Sequence, residues 1–94
     1  MIEFIDDDEG YLVWIASNPD GLVLNVRRNS DSNYVVLHRA ICRSISTDKR
    51  EPGAYTARSF RKICATDISE LRAAAKREGR GDGSFSKRCS LCQP

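Results

Sequence analysis

Histidine, tryptophan and methionine each occur once in this chain of 94 residues. A lone histidine excludes nuclease centres of the His-Asn-His type, and no serine or cysteine sits beside it in a recognisable nucleophile motif. Neither G-x-x-x-x-G-K-[ST] nor G-x-G-x-x-G is present, so no phosphate loop is read. No apolar run approaches the roughly 18 residues of a membrane span. The opening segment MIEFIDDDEG is acidic and lacks a basic n-region, so no signal peptide is expected, and the reducing cytoplasm, where disulfides are rare, is. Core-forming residues are also scarce: Ile, Leu, Val and Phe number 21 of the 94, just above the roughly 20% level at which charged chains fall into disorder. The expectation is a single domain, 1–94, with a thin core and a need for a staple such as a metal ion.

What the chain does have is four cysteines, Cys42, Cys64, Cys89 and Cys92. The last two form a terminal C-x-x-C, a tight turn that aims two thiolates at one ion. Residues 93–94 leave no room for the helix that a redox C-x-x-C opens, so thioredoxin-like chemistry is not expected. Cys42 and Cys64 can complete a four-cysteine zinc site, with His38 as the alternative fourth ligand. His38 and Cys42 are four residues apart, which is about 13 Å along a continuous strand. They can share an ion only if the chain turns or becomes helical after Leu37. The competing reading makes Cys42 and Cys64 ordinary packed thiols. Four protein ligands would leave no coordination position for a catalytic water.

Charge is the second feature. Six of the 13 acidic residues, and none of the 15 basic ones, fall in residues 1–20. This asymmetry suggests a basic face beside an acidic end. Arg39, Arg43, Arg58, Lys62, Arg72, Lys76, Arg80, Lys87 and Arg88 are the candidates for contact with the phosphate backbone of DNA or structured RNA. With 7% aromatic residues the chain is poorly equipped to stack single-stranded bases.

The pattern reads as α+β: a small antiparallel sheet with two or three helices, zinc-stapled if the cysteines converge. Residues 11–16 fit a strand, but a helix is favoured, opened by the Asp6/Glu9 capping pattern and stopped by Pro19. Its inward face would be Leu12, Ile15 and Ala16. Leu22–Val26 and Tyr34–His38 read as a hairpin, and Thr47–Gly53 as a polar loop. Ala54–Ala65 fits a strand or a short helix opened by Thr56. Thr66–Glu78 is the clearest helix, with Asp67 as N-cap, Glu70 at N3, and Ile68, Leu71, Ala74 and Ala75 as an apolar stripe. The Gly/Ser/basic segment 79–88 should be mobile unless the terminal C-x-x-C ties it down.

Several strings stand out together: Gly10-Tyr11-Leu12-x-Trp14, Asn18-Pro19-Asp20-Gly21-x-Val23-x-Asn25, Leu37-His38-Arg39-Ala40-x-Cys42, Lys62-x-Cys64 and Cys89-x-x-Cys92-x-Pro94. Together they resemble a short domain of bacterial hypothetical proteins for which no activity is settled. The resemblance implies a helix at Trp14 leading into the Pro-Asp-Gly turn, and a unit joining Leu37–Cys42 to the terminal pair. The leading expectation is a non-catalytic, zinc-stabilised binding module with a basic face for nucleic acid. A protein–protein adaptor using the acidic end, or a small nuclease or other hydrolase, are the alternatives. No membrane association is expected.

Overall fold

The computed structural model describes residues 1–46 and 53–94. The elements are β1 (Ile2–Phe4), α1 (Asp8–Ser17), β2 (Leu22–Arg27), β3 (Val35–Arg39), a 3-10 turn (Arg43–Ile45), β4 (Phe60–Ala65), α2 (Ile68–Arg77) and β5 (Lys87–Arg88). The strands form one sheet in the order β1-β4-β2-β3-β5. Apart from Gly53, the polar loop expected at Thr47–Gly53 lies outside the described residues.

The fold is α+β, as expected, but the sheet is mixed. β5 runs parallel to β3, with Val36 opposite Lys87 and Leu37 opposite Arg88. A parallel neighbour requires a long crossover, and the path through β4 and α2 supplies it. β1 and β5 carry too little apolar pattern to announce themselves as strands.

α1 begins one residue later than the Asp6/Glu9 pattern predicts. Asp7 is the N-cap and its carboxylate accepts from the Gly10 amide at 2.9 Å. The face that α1 buries is Tyr11 and Ile15, while Ala16 is exposed. Tyr11 takes the central place because its hydroxyl finds a partner inside, donating to the Ile45 carbonyl at 2.6 Å. α2 follows its pattern closely. Asp67 caps it through the Ser69 amide, and Leu71, Ala74 and Ala75 are buried. Glu70 closes no capping box; it accepts from the N-terminal ammonium at 3.1 Å.

The two helices cover opposite faces of the sheet. Tyr11 and Ile15 pack with Phe4, Val23, Cys64, Ala40, Cys42, Ile45 and Tyr55. Leu71, Ala74 and Ala75 pack with Leu24, Val26, Val35, Leu37, Ile63 and Ala65. Burial on both sides explains why β2 and β3 read as apolar runs rather than alternating ones. It also lets one short chain make two small cores around a shared sheet.

Candidate metal centre

The site lies where β3 ends. β3 holds His38 on the face covered by α1, because His38 pairs with Val23 in register and Val23 pairs with Cys64. The chain then turns, the Cys42 amide donating to the Arg39 carbonyl at 3.0 Å, and Cys42 caps the 3-10 turn. This turn solves the spacing problem that a continuous strand poses for His38 and Cys42.

The other half arrives with the tail. Gly79 ends α2 with φ +103°, its amide bonding the Lys76 carbonyl while the Arg80 amide reaches Ala75. The Arg80 guanidinium then bonds the carbonyls of Ser32, Ser84 and Phe85. The Ser86 amide donates to Val35 and the Cys89 amide to Leu37, both at 2.9 Å. The segment expected to be mobile is therefore laid along β3. The Gln93 amide closes the C-x-x-C turn on the Cys89 carbonyl.

His38, Cys42, Cys89 and Cys92 each present a donor atom within 4.8 Å of all the others. The Cys42 and Cys89 sulfurs are 3.9 Å apart. A tetrahedral zinc–thiolate site with bonds of about 2.3 Å has S···S edges of about 3.8 Å. His38 and Cys42 are buried and the other two half-buried, so the set can hold a metal ion at the edge of the first core.

Cys64, the fourth cysteine of the expected four-thiol set, is not among these donors. It lies on β4, with β2 between it and β3, about 9–10 Å away across two strand spacings. It is fully buried in the first core, and burial pushes its thiol up to about 12. His38, the alternative fourth ligand, takes that place.

The surroundings suit a neutral imidazole and favour one thiolate, that of Cys89. Burial, with the nearby Lys62 and Lys87 ammoniums, pushes His38 down to about 4, which keeps it neutral at ordinary pH. Its Nδ1 is buried with no hydrogen-bond partner among the described residues. Burial works against the Cys89 thiolate, but the backbone amides of Cys92 and Leu91 outweigh it and hold that thiol below its usual range. The Arg39 amide points at Cys92 Sγ at 3.2 Å, although burial still keeps that thiol high, at about 11. The Arg39 side chain bonds the Cys92 and Gln93 carbonyls, both at 3.0 Å.

The basic candidates differ in exposure and in partners. Lys62 is buried, its ammonium donating to Asn25 Oδ1 and the Tyr55 carbonyl, so it is not a surface phosphate contact. Arg39 and Arg80 are committed to tail carbonyls, as above. Arg72 and Arg88 line one cavity with Phe85, and Arg88 also donates to the Pro94 carbonyl. Arg43, Arg58, Lys76 and Lys87 are exposed, and Lys76 lies beside Gly83 of that cavity.

The acidic end is largely used internally. Asp6 pairs with Arg28 at 2.7 Å, and Asp8 accepts from the Thr56 amide, the Thr56 hydroxyl and the Tyr55 amide. Arg61, unremarkable in the sequence, is buried between Glu78 and Glu3. An arginine followed directly by a lysine carries no sequence signal that separates a buried ion pair from a surface charge. No helix among the described residues is long and apolar enough to cross a membrane. No protein-family model, curated protein or solved structure matches the chain, which leaves the donor geometry as the ground for assigning the site.

Proposed function

We propose that the chain is a small, non-catalytic binding module in which His38, Cys42, Cys89 and Cys92 hold one structural zinc ion. The observation that carries this reading is the mutual approach of the four donors within 4.8 Å. The orphaned His38 Nδ1 supports it, because a buried polar atom without a partner costs about 1–3 kcal/mol. Three thiolates and one imidazole in a tetrahedral arrangement favour zinc over harder cations. Such a centre carries one net negative charge, which Lys62, Lys87 and the Arg39 amide offset. The donor set is closed, so the ion in this reading braces the fold and activates no water. In the same proposal the chain is one of the short bacterial domains its motifs resemble, and it works in the cytoplasm, where thiols stay reduced.

Native mass spectrometry of protein purified without chelator tests the proposal. The expected result is one zinc per chain, lost on Cys42→Ser or Cys92→Ser. Fully folded, metal-free protein overturns it.

A second reading, phosphate contact, is favoured by one observation: Arg72, Arg88 and Phe85 share a cavity of about 220 Å³. It predicts binding of duplex DNA or RNA at about 50 mM salt that weakens steeply on raising the salt. Absence of binding at the low salt sinks it.

A further inference from the structure

Ile41 and Leu91 are the most exposed large apolar side chains among the described residues, at 62% and 67%. Each immediately precedes the second ligand of its pair, Ile41 before Cys42 and Leu91 before Cys92. The two half-sites therefore present an aliphatic residue at the same step of their turns. Both side chains line a single open cleft of about 250 Å³, together with Arg39, Arg43, Cys42 and Cys92.

A chain with so little apolar material to spare for its core leaves two aliphatics in water at one spot. Clustered exposure of this kind marks an interaction surface rather than chance. The cleft is smaller than the roughly 300 Å³ at which drug-sized ligand pockets begin, and it is open, so it suits one or two protruding side chains. No aromatic ring among the described residues lines it, which disfavours base stacking. Among the described residues no carboxylate lines it either, while two arginines do. Arg39 is fixed by the Cys92 and Gln93 carbonyls, and Arg43 makes no ion pair among the described residues. Their two positive charges exceed the single negative charge of a three-thiolate zinc centre.

We infer that this cleft docks a protein segment in which an aliphatic or aromatic residue is flanked by Asp or Glu. The apolar residue would sit between Ile41 and Leu91, and its acidic neighbours would meet Arg43 and Arg39. The inference rests on the zinc reading, because one wall belongs to the β3 turn and the other to the tail. Metal ligation joins the two, and the partner would bind only when that joint is made.

The test is selection of a displayed random dodecapeptide library on the zinc-loaded protein. Enriched peptides are then titrated against the wild type, the Ile41→Ser/Leu91→Ser double variant and Arg43→Gln. Expected are peptides with a large apolar residue next to acids. The double variant should weaken their binding about tenfold or more, with zinc stoichiometry and melting temperature unchanged. Arg43→Gln should weaken it less and flatten its salt dependence.

No enrichment, or equal binding by the double variant, overturns the inference. So does a single-stranded oligonucleotide or a second copy of the chain that occupies the cleft instead. The first would appear as oligonucleotide binding, and the second as a dimer in sedimentation, each abolished by the double variant. Zinc present with no peptide bound defeats this inference alone. Peptide bound by a folded, metal-free protein defeats the zinc reading and the metal dependence of docking, and leaves the cleft itself as the docking site.

Discussion

Arg61 is a charge inside a sheet. Its guanidinium bonds Glu78 and Glu3 and the Arg27 carbonyl. A buried pair of this kind adds little net stability, but breaking it strands a charge. Glu78→Gln should therefore cost on the order of 3 kcal/mol in urea unfolding. Adding Arg61→Met should recover much of the loss, because the one charge left without its partner, Glu3, is exposed to solvent. A second residue-scale prediction concerns Asp8. Burial opposes its charge, yet the bonds from Thr56 and Tyr55 hold its carboxyl below the usual carboxylate range. Its stabilising effect is thus complete above the ordinary value of about 4 and lost as pH falls through the lower folded value. Asp8→Asn should cost about 1–2 kcal/mol at pH 7 and make the acid limb of the stability–pH curve shallower. Asp8 lay in plain view as one of a run of acids. Nothing local distinguished it from its neighbours, because its partners are 47 and 48 positions away.

At the scale of elements, legibility followed the reach of the interactions. α2 was readable because its cap, stripe and terminating glycine are all local. Gly79 illustrates this. It sits at φ +103°, and a Cβ there would meet the Ser32 Cβ at 3.1 Å. Gly79→Ala should cost about 1–2 kcal/mol in thermal or chemical unfolding, whereas an exposed mid-helix change such as Ala73→Ser should cost well under 1 kcal/mol. α1 was harder, since Tyr-Leu-Val-Trp-Ile also suits a strand, and only the acids and Pro19 tipped the balance. β1 and β5 were not readable. Each is two or three residues long and exists because a longer strand, β4 or β3, offers it an edge. The donor cluster was half legible. Cysteine spacing picked out Cys89 and Cys92, but choosing His38 over Cys64 needed the strand order, which puts β2 between β4 and β3.

For the whole molecule, the question is what holds the last third of the tail. Arg80 secures its start and a two-residue strand its middle, while its end lies at the His38, Cys42, Cys89 and Cys92 cluster, where the proposed zinc would fasten it. A chelator should therefore loosen the tail before it unfolds the sheet. Trypsin should cut after Lys87 and Arg88 many times faster in chelator than with zinc, while the near-ultraviolet signal of Trp14 on α1 changes little. Equal cleavage rates would show that the hydrogen bonds alone suffice. The division of the ligands into two local pairs has a further consequence, for the order of events in folding. His38 and Cys42 form part of one turn and Cys89 and Cys92 another, but Cys42 and Cys89 are 47 residues apart. Each turn can form early at small loop-closure cost, whereas bringing the two together waits for the crossover through β4 and α2. Under the zinc proposal, the ion would be captured by one turn in a still-open chain and carried to the other. The rate of the final step would then report metal concentration, while the earlier collapse of the β2–β3 hairpin would not.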